Sequence, residues 1–88
     1  MLYMIIEKFH EGKIRSVYER FDERGRMMPD GVSYINSWTT EDIKTCYQVM
    51  ESVSKEKLKE WISNWNDLCD FEIIPVITSV EAKSKVFL

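Results

Sequence analysis

The chain has 88 residues, of which 44% are hydrophobic and 31% charged, and its formal net charge is -3. This length favours a single domain, residues 1–88. The negative charge and the absence of a block of basic residues exclude a nucleic-acid-binding surface. No apolar run approaches the roughly 20 residues of a membrane helix, so no contact with a membrane is expected.

The first third of the chain predicts a strand, a helix and a turn. Leu2–Phe9 is apolar almost throughout, which is typical of a central strand. Lys13–Arg24 places its apolar side chains at helical spacing, and Gly25 suits the position after the helix because a positive φ costs glycine little. The sequence Pro29–Gly31 then predicts a turn.

Val32–Trp38 and Lys44–Glu51 predict two strands joined by a polar turn. One face of this hairpin carries mainly aromatic and valine side chains. The other face is expected to carry Ile35 and Met50, with small or neutral polar neighbours that include Ser33, Ser37, Cys46 and Gln48. Since neither face is charged, neither is suited to bulk water, and both need a partner.

The second half predicts a helix, an edge strand and a short C-terminal helix. Ser54 is the expected N-cap of a helix whose apolar stripe continues to Leu68. Asp70–Thr78 predicts the last strand, and Pro75 assigns it to a sheet edge because proline cannot donate a ladder hydrogen bond. A capping box at Thr78–Glu81 then starts the C-terminal segment.

The order of elements, β-α-β-β-α-β, predicts a ferredoxin-like α+β fold. Its four-stranded antiparallel sheet has the order four-one-three-two, with both helices on one face. The helices leave the other face open, and an apolar open face on a small chain favours a homodimer. Ile35 and Met50, with Phe87 from the tail at 79–88, are the predicted dimer interface.

The two cysteines, Cys46 and Cys69, lie far apart, without a CxxC motif or a neighbouring histidine. Each is therefore expected to be a small buried hydrophobe rather than a metal ligand or half of a disulfide. No metal or cofactor is predicted. The N-terminus lacks the pattern of a signal peptide, which together with free thiols favours the cytoplasm.

Three ionisable side chains are candidates for acid–base catalysis: Glu7, His10 and Glu72. His10 is the only histidine, although its position at a strand end is also typical of a solvated loop. Glu7 and Glu72 would both face the open side, where Arg24 or Arg26 reaches them, if the first and last strands pair. A carboxylate in a dry cavity has a raised pKa, and the alternative is an ion pair or an outward-pointing edge residue.

A neutral polar cluster of Ser37, Cys46 and Gln48 is predicted on the open face. It either binds one polar group of a ligand or satisfies its own hydrogen bonds across the dimer. Cys46 has no activating partner in the sequence, which argues against a nucleophile. Trp61 and Trp65 are assigned to the core.

Six motifs carry a likeness to a known family: Glu7–Phe9, Tyr18–Met27, Pro29–Gly31, Ser37–Trp38, Cys46–Glu51 and Trp65–Val76. On these motifs the chain resembles the dimeric α+β-barrel superfamily and, within it, a bacterial domain-of-unknown-function family, family 3303. The resemblance implies the fold and a homodimer that forms a dimeric α+β barrel, but no established activity. Haem-degrading members of the superfamily use an Asn, a Trp and a His on a later helix. Here Asn36 and Trp38 are present but His10 follows the first strand, so haem is not expected.

The leading functional interpretation is a homodimeric small-ligand-binding or interaction module that uses the open sheet face. The alternative is a cofactor-independent monooxygenase or isomerase acting on a small apolar substrate within the barrel. The residues leave open whether the protein is an enzyme.

Overall fold

The structure, a computed structural model, describes all residues from Met1 to Leu88 and contains one four-stranded sheet and three helices. The elements are β1 Leu2–Phe9, α1 Ile14–Arg24, β2 Val32–Thr39, β3 Thr45–Ser52, α2 Lys55–Ile62, β4 Cys69–Val76 and α3 Ser79–Val86. All neighbouring strands pair antiparallel, in the order β2-β3-β1-β4. The predicted ferredoxin-like α+β fold and its strand order are therefore confirmed.

The position of β4 agrees with the proline in it. Pro75 lies opposite Tyr3 of β1, and β4 has no second neighbour on its outer side. An edge strand tolerates proline because half of its backbone groups face away from the sheet. The apolar strand β1 lies between β3 and β4, as its sequence predicts.

Helices α1 and α2 cover one face of the sheet. Val17 of α1 and Leu58 and Trp61 of α2 join the same buried cluster as Ile5 and Met50 of the sheet. Ile5, Met50 and Leu58 are completely buried. Burying a side chain of this kind stabilises the fold by roughly 1.5–3 kcal/mol, so this layer supplies much of the stability of so short a chain.

Helix α2 begins where predicted but ends earlier. The Ser54 hydroxyl accepts a hydrogen bond from the Lys57 backbone N–H (3.2 Å), which is the expected N-cap. The helix ends at Ile62, and residues 63–68 form successive turns instead of continuing the helix to Leu68. This stretch is rich in Ser, Asn and Asp, which compete for backbone hydrogen bonds: the Ser63 hydroxyl donates to the Glu60 carbonyl (2.6 Å).

Helix α3 begins with the predicted capping box but does not join the core. Thr78 and Glu81 exchange the two hydrogen bonds of the box. None of the residues of α3 is buried, and Val86 and Phe87 remain 75% and 79% exposed. The longest dimension of the molecule is 48 Å, far more than its 17 Å thickness. No helix of the chain is long and apolar enough to cross a bilayer.

For β3 the two sheet faces are the reverse of the sequence prediction, whereas Ser33 of β2 lies on the open face as predicted. Cys46, Gln48 and Met50 alternate as the buried positions of β3 and lie beneath the helices, so placing Met50 in an open-face dimer interface was wrong. Ser37 pairs with Gln48 and shares its face. Because side chains alternate between the two faces of a sheet, assigning one residue of β3 to the wrong face moves every residue of that strand to the wrong face.

The open face is the sheet face that points away from α1 and α2. Trp38 and Tyr47 are paired neighbours on it and are 58% and 40% exposed. A β-bulge between Tyr34 and Asn36 brings Trp38 to this side although Tyr34 faces the helices. The apolar residues that the pairing places on the open face are Leu2, Met4, Ile6, Trp38, Tyr47, Val49, Ile74 and Val76.

Candidate functional site

A cavity of about 160 Å3, called here the helix-side cavity, lies between the sheet and the helices. Seven of its twelve lining residues are hydrophobic, and five of them carry aromatic rings. The lining residues are Glu7, Phe9, Val17, Tyr18, Phe21, Arg26, Ser37, Thr39, Cys46, Gln48, Trp61 and Trp65. The wall is therefore mostly apolar, with a few polar groups that converge on it, which is the usual composition of a ligand site.

Glu7 is the buried carboxyl group of this cavity. Glu7 is only 6% exposed because β1 is a central strand and its odd-numbered residues face the helices. Gln48 Nε2 donates to Glu7 Oε2 (2.6 Å), and Cys69 Sγ donates to Glu7 Oε1 (3.7 Å). Burial raises the pKa of Glu7 from 4.5 to about 7, while these two hydrogen bonds and the charge of Arg26 act in the opposite direction. Glu7 can therefore exchange a proton near neutral pH.

Arg26 supplies the cation of the cavity, and its backbone is fixed by two indoles. Trp61 Nε1 and Trp65 Nε1 both donate to the Arg26 carbonyl oxygen, at 2.8 and 3.0 Å. The guanidinium carbon lies 3.6 Å from the Tyr34 ring centroid and 5.1 Å from that of Phe21. These distances are in the range of cation–π attraction, so the aromatic rings hold the guanidinium in place.

The thiols beside Glu7 are poor nucleophiles. Burial raises the pKa of Cys46, and burial together with the nearby Glu7 raises the pKa of Cys69. Both cysteines are free and buried, as expected of small hydrophobes. Their protonated forms add no charge to the cavity.

The predicted polar cluster does form, but on the other face. Ser37, Cys46 and Gln48 all line the helix-side cavity rather than the open face. The Ser37 hydroxyl shares a hydrogen bond of 2.7 Å with the Tyr34 hydroxyl, and the Gln48 amide is used by Glu7. Ser37 and Gln48 thus have hydrogen-bond partners within one chain.

The three predicted acid–base residues do not lie together. Glu72 pairs with Ile6 and lies on the open face as expected, whereas Glu7 faces the helices, so the expectation that both carboxylates share the open face was wrong. His10 Nε2 lies 2.9 Å from Asp70 Oδ1 at the end of β1 and does not line the cavity. Because side chains alternate between the faces along β1 and β4, Glu7 and Glu72 lie on opposite faces of the sheet, whichever face the helices cover.

Sequence reasoning missed the aromatic lining of the cavity and the anchoring of Arg26. Trp61 and Trp65 are core residues as expected, at 2% and 4% exposed, but their indole N–H groups also set the position of Arg26. A buried tryptophan needs an acceptor for its N–H, and two tryptophans four residues apart need acceptors on the same side of their segment. This need for acceptors is the feature of the sequence that could have indicated the anchoring contact with Arg26.

A second depression of about 210 Å3 lies at the pairing of β1 with β4, but it has only five lining residues, among them Lys8, Asp70 and Glu72. The chain contains no group of three or more His, Cys, Asp and Glu residues arranged to hold a metal ion. The helix-side cavity is therefore the better candidate site, and the chemistry available in it is hydrogen bonding, charge recognition by Arg26 and proton exchange by Glu7.

Together, the fold and this cavity define an α+β protein of the ferredoxin-like class with a small, partly open site between sheet and helices. The chain belongs to the family described as Domain of unknown function (DUF3303), whose model matches residues 1–86. The family resemblance predicted from the sequence motifs is thus confirmed. No curated protein matches the chain.

Two solved structures are similar to the chain. Rv0793 from Mycobacterium tuberculosis is 12% identical, with 89% of this chain and 96% of that chain covered and a TM-score of 0.51. A "putative Antibiotic biosynthesis monooxygenase" from Chloroflexus aurantiacus J-10-fl is 19% identical, with the same two coverages and a TM-score of 0.46. At these identities, the likeness to Rv0793 is evidence for the fold alone.

Proposed function

We propose that the chain is a homodimeric module that binds a small, mostly apolar ligand in the helix-side cavity. The observation that carries this proposal is a cavity of about 160 Å3 in which aromatic rings surround one buried carboxyl group. An engineered apolar cavity of about 150 Å3 in another protein binds benzene, so the volume here fits a ligand of about one ring. It is smaller than the roughly 300–1,000 Å3 of sites for drug-sized ligands.

The homodimer rests on the open face. Eight apolar side chains on one side of the sheet include Trp38 and Tyr47, which remain 58% and 40% exposed in a single chain. Large exposed apolar patches mark interaction sites on soluble proteins, and two copies packed face to face about a two-fold axis would cover this one and form an α+β barrel. Ile35 and Phe87, 51% and 79% exposed, stay predicted members of that interface.

Ligand binding is tested with a neutral single-ring compound such as benzamide. The fluorescence of the tryptophans and the amide shifts of cavity residues report binding. Ser37→Leu adds an apolar side chain inside the cavity and should weaken binding by at least about tenfold, since a filled site leaves no room for the ring. Ser33→Leu adds the same side chain on the other face of β2 and is the matched control. Equal binding by the two variants would refute the cavity as the site.

Dimerisation is tested by light scattering at micromolar concentration. The expected mass is twice the 10.5 kDa of one chain. Tyr47→Glu places a charge at the centre of the open face and should yield a monomer, because the buried charge has no partner. Lys59→Glu, on the exposed side of α2, is the control and should leave the mass unchanged. A monomeric wild-type chain contradicts the dimer.

A second candidate function is a cofactor-independent isomerase or monooxygenase, and the pKa of about 7 at Glu7 favours it. A base with such a pKa can remove a proton from a carbon acid at neutral pH. The Glu7 carboxylate would take the proton, and the C–H electron pair would pass into an enolate. Exchange of α-protons of a small cyclic ketone for deuterium in D2O, lost in Glu7→Gln, is the test; exchange that is equal in the variant would exclude Glu7 as the base.

A cytoplasmic location is part of the proposal and is supported by the thiols. Cys46 and Cys69 are both free, and neither has a disulfide partner in the fold. Unpaired cysteines are usual in reducing compartments. Fractionation of cells that express the chain, with a periplasmic marker as control, tests this point.

A further inference from the structure

We propose that the ligand of the helix-side cavity is a small organic carboxylate, whose ionised carboxyl group accepts hydrogen bonds from the Arg26 guanidinium and from protonated Glu7. This inference rests on the proposed ligand-binding function and assigns the chemical class of the ligand. It is supported by the charge of the cavity, the free donors of Arg26 and the anchoring of that residue.

The charge of the cavity is positive when Glu7 is protonated. Arg26 is the one permanently charged side chain among the twelve that line the cavity. The groups that face Glu7 add no negative charge: Cys46 and Gln48 come from β3, and Cys69 comes from β4. Tyr18 of α1 lines the same space. A cavity with one cation and one neutral carboxyl group selects an anion over a cation or a neutral molecule.

The donors of Arg26 are free to bind a ligand. Its backbone oxygen accepts from both indoles, but no hydrogen bond or ion pair of the chain uses its guanidinium. Its aromatic neighbours are the rings of Tyr34 and Phe21, whose centroids lie 3.6 and 5.1 Å from the guanidinium carbon. A planar fork of N–H donors matches the two oxygens of a carboxylate.

The anchoring of Arg26 is of the kind that prepares a binding site. The two indole hydrogen bonds fix the backbone, and the ring contacts restrict the side chain, so little side-chain entropy is left to lose when a ligand binds. Structural arginines in this chain are used differently. Arg20 makes a bidentate ion pair with Asp67 (2.8 Å to each oxygen) and donates to the Asn64 carbonyl, which occupies its donors.

The rest of the cavity fits an aromatic or alicyclic body. Five rings line it, and two of them, Phe9 and Tyr18, pack edge to face with centroids 6.1 Å apart. The volume of about 160 Å3 limits that body to about one ring. Benzoate therefore has the expected shape and charge, and benzamide is its neutral counterpart of nearly the same size.

Protonation of Glu7 should control the affinity. Below its pKa of about 7, Glu7 donates to the ligand carboxylate; above it, two carboxylates repel each other. The apparent dissociation constant of benzoate should therefore rise about tenfold between about pH 6 and about pH 8. Benzamide binding should change little over the same range, because it carries no charge.

The experiment is a calorimetric or NMR titration of benzoate and benzamide at both pH values. At the lower pH, the wild-type chain should bind benzoate at least about tenfold more tightly than benzamide. Arg26→Gln should abolish this preference. It should still fold, since the indoles bind the backbone oxygen and not the side chain. Arg24→Gln removes a neighbouring arginine that does not line the cavity and should retain the preference.

Two further variants complete the test. Arg26→Lys keeps the charge without the planar fork and should show a reduced preference for benzoate, which also covers the case that Arg26→Gln fails to fold. Glu7→Gln keeps a donor at the same place, so it should bind benzoate at both pH values without the loss at higher pH. If the affinity of Glu7→Gln for benzoate still depends on pH, Glu7 does not bind the ligand carboxylate and this part of the inference is wrong.

The outcomes separate the inference from the function on which it rests. If benzamide binds as tightly as benzoate, or if Arg26→Gln and Arg26→Lys leave the preference intact, the carboxylate inference is wrong while ligand binding in the cavity stands. If neither compound binds, both are wrong. Benzoate binding that is unaffected by Ser37→Leu would place the site elsewhere and would overturn the inference as well.

Discussion

The buried Glu7 carboxyl group makes the stability of the fold depend on pH, and Glu7→Gln should remove this dependence. The pKa of Glu7 is 4.5 in an ordinary environment and about 7 in the folded chain. Between these values, the folded state retains a proton that the unfolded state has lost. The stability of the native state therefore falls as the pH rises from about 4.5 to about 7, and it stays low above that.

The size of this effect follows from the shift. Each pKa unit corresponds to about 1.4 kcal/mol, so raising the pKa from 4.5 to about 7 costs the folded chain about 3 kcal/mol at alkaline pH. This is a large part of the roughly 5–15 kcal/mol by which small proteins are stable. Glutamine resembles the protonated form, and its carbonyl oxygen can still accept the hydrogen bond from Gln48.

Urea unfolding at a fixed chain concentration measures the effect. Glu7→Gln should be more stable than the wild-type chain by less than about 1 kcal/mol near pH 5 and by about 3 kcal/mol near pH 8. The concentration must be fixed because a dimer is stabilised by mass action. Glu72→Gln removes an exposed carboxylate from the other sheet face and should change stability by less than about 0.5 kcal/mol at both pH values. A gain for Glu7→Gln that is the same at both pH values would refute this reasoning.

Three further substitutions test the packing and backbone of the fold. Leu58→Ala should lower the free energy of unfolding by about 2–5 kcal/mol in urea, since Leu58 is completely buried; a loss below about 1 kcal/mol would contradict its place in the core. Gly31→Ala should be more destabilising than Gly12→Ala: both glycines have positive φ, but only at Gly31 would a Cβ meet Val53, at 2.9 Å. Equal melting temperatures for these two variants would refute the contact. Thr78→Ala should weaken α3 locally by about 1 kcal/mol, so that amide exchange rises in α3 while the global unfolding midpoint hardly moves; a large global loss would show that α3 packs on the rest of the molecule.

The sequence contains enough information for the elements and their order because local signals agree with one another. The helical spacing before Gly25, the N-cap at Ser54 and the capping box at Thr78 each mark an end of a helix, and the structure has all three. Pro75 independently assigns the last strand to an edge. The end of α2 was less predictable, because Trp65 and Leu68 keep the apolar helical spacing through the turns that replace the last part of the helix.

Which sheet face the helices cover was predicted wrongly, because both faces of β3 and of β1 are largely apolar. The pattern did hold a weaker signal, which is charge. Lys8, Glu51 and Glu72 alternate with residues that face the helices, and all three lie on the open face. A charge is costly to bury without a partner, so three charges on one side mark that side as the one without helices. Glu7 is the exception that obscured this signal, and it is also the residue at the centre of the candidate site.

The corrected faces separate two roles that the sequence interpretation had combined. The groups of the candidate ligand site line the helix-side cavity, whereas the open face carries apolar side chains and a charged border. Strand β1 belongs to both, since Ile5 and Glu7 point to the helices while Met4 and Ile6 point to the open face. Under the proposed dimer, packing of a second chain against Met4 and Ile6 would restrain the strand that holds Glu7. Ligand affinity should therefore fall when the open face is charged by Tyr47→Glu, even though Tyr47 does not line the cavity.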